Sequence, residues 1–300
     1  MLLDFMSPAL KDKEWISPIM EESNRMGADT SFASLFLWGY IHDVRVVRFK
    51  NSIIRAKFKD DQIVDYSFPI GQEDIKQSCE AIFQDASQRG TAPVITAVYE
   101  ENKAFLETAY KDCFNFIEAR SFADYIYSQK DLALLPGRKY HGKRSHISKF
   151  IRSNKNFELI PISPDNKKDA LYVAKEWCRQ VNGENCGEKD PELCAIERCF
   201  KYFEELSLFG ALLYVDKKPA AMTVASKINK NVCEIHFEKA LKDVDGAYAM
   251  INNGFAKTLE SFKWINREED MGIEGLRKAK LSYYPEILLQ KYKAVPVVKN

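Results

Sequence analysis

The stretch LFGALLYVDKKPAAMTVASKINKNVCEIHFEKAL, residues 208–241, decides the fold. LFGALLYVD, PAAMTVASKI and VCEIHFEKAL read as three strands, being short and rich in branched and aromatic residues. Asp216-Lys217-Lys218-Pro219 is the hairpin turn between the first two. In the third strand, strict alternation puts Cys233, Ile235 and Phe237 on a core face and Glu234, His236 and Glu238 on the other. That second face has two uses. Glu238 or His236 can act as a general base. Equally, one face of an antiparallel sheet can simply be wet.

Outward from these strands, the pattern is mixed α/β. Upstream lie a strand at Glu158–Ile162 and a helix capped by Asp165, with Ala170, Val173, Ala174, Trp177 and Val181 as its buried stripe. A second helix starts at Asp190-Pro191-Glu192, cap then proline at the first position. Downstream come a helix over Gly246–Phe262, a short strand Trp264–Asn266, a helix from about Ile273 and a final strand ILLQKYKAV, residues 287–295. The first half has a similar order. An apolar SFASLFLWGY packs as helix or turn, and a β-meander runs from Asp43 to Phe68. Then come a helix over Glu73–Arg89, a strand at Pro93–Val98, a helix at Glu101–Lys111 and strands over Phe114–Ser128. The expected organisation is two domains, 1–135 and 158–300, joined by a basic segment, 136–157. The order of elements resembles that of a GNAT-type acyltransferase domain, here in tandem.

With a net charge of +1, no global field draws this chain to nucleic acid or anionic lipid. Residues 1–15, MLLDFMSPALKDKEW, show no basic leader followed by a long apolar run, and no apolar run reaches the roughly 20 residues of a membrane span. A cytoplasmic protein is expected. Cys178, Cys186, Cys194 and Cys199 contain no C-x2-C pair, so free thiols and no metal are expected.

The local exception is PGRKYHGKRSHISKFIRSNKNF, residues 136–157, which contains no acidic residue. Arg138, Lys139, Lys143, Arg144, Lys149, Arg152 and Lys155 are cationic, and His141 and His146 can join them. Such a segment suits a solvated helix, a phosphate-bearing small ligand, or an RNA backbone. A second dense stretch is WINREEDMGIEGLRKAKLSYYP, residues 264–285, where Asp270-Met271-Gly272 makes a turn. Ile273, Leu276 and Lys280 then share a helix face, so the Lys280 ammonium must find an anion, a carboxylate or a carbonyl, or snorkel to water. Asp243 and Asp245 precede Gly246, which disfavours a phosphate at the start of the helix there.

LPGRKYHGKRSHISKF (135–150), IHFEKA (235–240), GAYAMINN (246–253) and INREEDMGIEGLRKAKLSYYP (265–285) resemble bacterial proteins grouped with the C-terminal catalytic domain of phosphatidylglycerol lysyltransferase. The resemblance implies a tandem GNAT fold and transfer of an acyl or aminoacyl group to an amine or hydroxyl. It implies aminoacyl-tRNA or acyl-CoA as donor and gives the basic segment a use against a tRNA acceptor end. The charged REEDMGIEGLRKAK stands where the lipid-modifying enzymes carry a glycine- and proline-rich stretch, so lipid is not the expected acceptor. On this reading Glu238 is the base, assisted by His236 and Asp270. Arg138, Lys139, Lys143, Arg144, Arg277 and Lys280 hold the anionic donor. The alternatives are a nucleotide- or RNA-binding module without chemistry, and a degenerate protein whose first domain is structural only.

Overall fold

In the computed structural model, residues 2–183, 186–187 and 190–297 are described. The chain forms two compact units: Met1–Tyr125 with Glu268–Lys280 and Ile287–Asn300, and Ile126–Arg267 with Leu281–Glu286.

The first unit carries a six-stranded sheet. A meander, β1 (Val44–Phe49), β2 (Ser52–Lys59) and β3 (Gln62–Ile70), follows two helices, α1 (Lys13–Glu22) and α2 (Phe32–His42). The apolar SFASLFLWGY is thus a helix, started by Ser31, whose hydroxyl accepts from the Ser34 amide. Next come α3 (Ile75–Arg89), β4 (Ile95–Val98), α4 (Glu100–Ala109) and β5 (Phe114–Glu118). The strand order is β1-β2-β3-β4-β13-β5, where β13 is Tyr292–Pro296. The last strand therefore lies between β4 and β5, antiparallel to both. One side of the core holds Ile54, Phe58, Tyr66 and Ile82; another holds Phe68, Ile95, Leu106 and Ala294.

In the second unit six neighbouring strands of a seven-stranded sheet run in the order β6-β11-β10-β9-β8-β7. Here β6 is Asp124–Ser128, β7 Phe157–Pro161, β8 Phe209–Val215, β9 Lys218–Asn229, β10 Val232–Ala240 and β11 Trp264–Asn266. Its helices are α5 (Gln129–Leu134), α6 (His141–Ser153), α7 (Lys167–Asn182), α8 (Pro191–Lys201) and α9 (Ala247–Thr258). Asp190 caps α8 as its sequence indicates, accepting from the Leu193 amide at 2.9 Å.

Several expectations are corrected. The chain does not divide at 135 and 158, because Glu268–Lys280 and β13 return to the first unit, where β13 completes the sheet. The final strand is two, β12 (Ile287–Leu289) and β13, broken at Gln290-Lys291. Helix α7 is preceded by Asn166, not Asp165; the Asn166 side chain accepts from the Ser163 amide at 2.8 Å and turns the chain there. Cys178 and Cys186 are not free thiols but a disulfide, made possible where Gly183 (φ 56) turns the chain after α7 and the Cys186 amide donates to the Gly183 carbonyl.

Candidate functional site

The strand pairing positions the site. β10 and β11 are parallel and pair only over Val232–Glu234 with Trp264–Asn266, after which β10 runs on alone to Ala240 on that side. Glu238 lies on this unpaired part, and Arg267 directly follows β11. The two meet as an ion pair, Arg267 Nη2 to Glu238 Oε1 at 2.9 Å, with side chains 13% and 8% exposed. Asn252 of α9 donates to the other oxygen, Glu238 Oε2, at 3.1 Å. The Arg267 guanidinium also packs against the rings of Tyr127 and Tyr283, 5.6 and 5.1 Å from their centroids.

Lys143 of the basic helix joins this group. Its ammonium donates to Ser282 Oγ at 2.7 Å and sits 3.8 Å from the centre of the Tyr283 ring. Burial, reinforced by the Arg267 charge and opposed by Glu238, pushes Lys143 down to about 8. α6 is held in place by Tyr140, whose buried hydroxyl donates to the Tyr283 carbonyl at 3.0 Å. Two cations thus pack on the Tyr283 ring, and one of them is paired with Glu238.

The other residues singled out from the sequence are placed as follows. His236 is buried and shares a face with Glu234, but it hydrogen-bonds Ser226 Oγ through Nε2 at 2.8 Å, with Nδ1 3.7 Å from Glu234 Oε1. This face is not wet: Glu234 is 0% and His236 6% exposed. The β9–β10 register also shifts between Ile235 and Phe237, so His236 sits at an irregularity in the ladder. Lys139 pairs with Asp131 at 3.0 Å, and Arg144 donates to the carbonyls of Leu135 and Gly137, closing the end of α5. Arg138 is exposed.

Asp270, Arg277 and Lys280 lie in the first unit, on α10 (Glu274–Leu281) and the turn before it. Asp270 is not an assisting base there. It is fully buried and accepts from five donors: Arg277 Nε and Nη2 (2.8 and 2.9 Å), Arg120 (3.1 Å), the Tyr125 hydroxyl (2.6 Å) and the Gly272 amide (2.8 Å). Burial pushes its carboxyl up, but hydrogen bonds from Arg277, Tyr125 and Gly272 outweigh this and hold it well below the usual carboxylate range. Lys280 finds carbonyls, those of Glu268 and Glu269. Arg277 is committed to Asp270. A groove of about 500 Å³ in the first unit, lined by Trp15, Glu22, Arg48 and Glu73, contains none of the residues singled out.

The start of α9 is crowded by acceptors. Gly246 (φ 82) brings it so close to α6 that a Cβ would lie 2.9 Å from the His146 carbonyl oxygen. Asp245 beside it pairs with Lys149. A carbonyl and a carboxylate therefore lie beside the start of α9, where acceptors disfavour a phosphate.

Comparison with known proteins gives the fold and the family. The chain has the tandem GNAT fold: it aligns over 99% of both chains with a tandem GNAT protein from the clavulanic acid biosynthesis pathway, at TM-score 0.50 and 10% identity. Residues 20–295 match the family "Phosphatidylglycerol lysyltransferase, C-terminal", and the chain belongs to it. A conserved protein of unknown function from Bacteroides thetaiotaomicron is similar over 99% of this chain and 100% of its own, with 36% identity and a TM-score of 0.92. L-PGS from Bacillus licheniformis shares 15% identity at TM-score 0.68, covering 96% of this chain and 93% of that one. An uncharacterised protein of Mycoplasmoides gallisepticum is 24% identical over 176 residues, 57% of this chain; the match spans little more than half, 56%, of that protein. Among the described residues no helix is long and apolar enough to cross a membrane.

Proposed function

We propose that this chain is an acyl- or aminoacyltransferase whose reaction is served by Glu238, with an amine or hydroxyl as acceptor. The observation that carries the reading is Glu238 itself: a carboxylate buried beyond the point where β10 and β11 cease to pair, holding one donor on each oxygen. A carboxylate has about four acceptor positions, so Glu238 keeps the capacity to take a proton. The acceptor nitrogen or oxygen attacks the acyl carbonyl, its proton passes to Glu238, and the bond from carbonyl carbon to carrier breaks. The carrier departs with the electron pair and receives the proton. Lys143 and Arg267 supply positive charge for the oxyanion that develops on the carbonyl.

Of the two donors, aminoacyl-tRNA is favoured over acyl-CoA, because the His146 carbonyl and Asp245 disfavour a pyrophosphate at the start of α9. Exposed Arg138, Arg152 and Lys155 on and around the basic helix are available to an RNA backbone. The same cations support the second reading, an RNA- or nucleotide-binding module, which predicts binding that weakens steeply with salt and no turnover.

The test is transfer of labelled acyl groups from a panel of charged tRNAs and acyl-CoAs to amine and hydroxyl acceptors. Glu238→Gln should lower the rate roughly 10²- to 10⁴-fold, the usual worth of a general base. A wild-type protein that binds tRNA and transfers nothing would leave the binding module as the reading.

A further inference from the structure

Asn252 is 1% exposed on α9, one turn after Tyr248, which at 42% exposure marks where this helix face reaches solvent. Its Nδ2 donates to Glu238 Oε2, yet its Oδ1 is buried with no hydrogen-bond partner among the described residues. Turning the amide over does not cure this. Oδ1 would then face the carboxylate, acceptor against acceptor, and the orphan would become Nδ2. A buried acceptor left without a donor is costly enough to need an explanation.

We propose that Asn252 Oδ1 and the remaining acceptor position on Glu238 together seat the acceptor substrate as an uncharged primary amine, one N–H to each. The inference rests on the acyl-transfer reading and narrows its acceptor. An alcohol has a single hydrogen and would leave one of the two acceptors unmet. An ammonium would satisfy both but would enter near Arg267, already paired with Glu238, and Lys143, which shares the Tyr283 ring with Arg267. The neutral amine avoids that repulsion and keeps its lone pair for the carbonyl. Asn252 is then a specificity-determining residue, neutral where a second carboxylate would capture the ammonium instead.

The test is binding, measured without any acyl donor. Butylamine, lysinamide and 1-butanol are titrated against the full chain by ligand-observed NMR at increasing pH. Amines should bind better than the alcohol and tighten as pH rises toward their own pKa. Asn252→Ala should weaken amine binding about ten-fold, a lost hydrogen bond to a buried group. Asn252→Asp should reverse the pH preference, favouring the ammonium. Circular dichroism melts confirm that the variants fold, and the wild-type pH trend needs no variant. Equal binding of amine and alcohol, or no change in Asn252→Ala, overturns the proposal and leaves Oδ1 to a trapped water. Amines bound as described but never acylated would sink the transfer reading alone. Transfer with an unchanged acceptor KM in Asn252→Ala would sink the amine seat alone.

Discussion

Asp270 in the first unit and Glu238 in the second are both buried carboxylates facing arginine, and they do opposite things. Asp270 takes five donors on two oxygens, so nothing is left for a ligand. Glu238 takes two, and the residue that donates one of them carries an orphan acceptor of its own. Saturation marks a structural anchor, and incompleteness marks a place built for something else. Both carboxylates follow from the same residue types in charged, arginine-bearing surroundings. Counting donors separates them where composition does not.

The largest effect should come from breaking the saturated partner. In Asp270→Asn the new amide group meets donors instead of accepting from them, and a cost of about 3 kcal/mol is expected in urea unfolding. The acid limb checks the same point. Because the folded-state pKa of Asp270 is depressed, its contribution is present above the unfolded value of about 4 and is lost as pH falls below it. The wild type should therefore weaken in acid more than Asp270→Asn does.

Glu238→Gln should cost far less, about 1 kcal/mol or under, despite its large effect on transfer. The new amide can donate to Asn252 Oδ1 once the Asn252 side chain turns over, so the pair keeps its hydrogen bond and one Asn252 atom stays unpartnered, as in the wild type. A loss as great as that of Asp270→Asn would erase the distinction between the two sites. The smallest effect concerns Lys143, whose folded pKa is lowered by burial. Between about 8 and its unfolded value of about 10.4 the native state binds fewer protons, so stability should rise with pH across that window. Lys143→Met should flatten this rise, which solvent screening keeps modest. An anionic ligand in the site should raise the Lys143 pKa again, seen as proton uptake on binding.

Much of this was legible locally. The meander, the Asp190-Pro191 helix start and the basic helix are set by short-range propensity and capping, which sequence displays directly. Glu238 and Lys143 were legible as candidates through strand alternation and the acid-free run. Their meeting with Arg267 was not, since it depends on where pairing between β10 and β11 stops. Asn252 was not singled out, because either of the two adjacent asparagines in GAYAMINNG looks like any helix polar residue. Asp270 misled because charge density signals a site and a structural hub equally well. The bond between Cys178 and Cys186 depended on the turn at Gly183, which spacing alone did not reveal.

The placement of β13 between β4 and β5 has a consequence for synthesis. Until Tyr292–Pro296 has left the ribosome, Ile95–Val98 and Phe114–Glu118 lack the neighbour they share. At roughly 5–20 residues per second, that wait lasts on the order of ten seconds or more. Nearly all of the second unit, Ile126–Arg267, emerges as one continuous piece in the interval. The half of the molecule made first is thus finished last, and its two open strand edges need protection from pairing with other chains meanwhile.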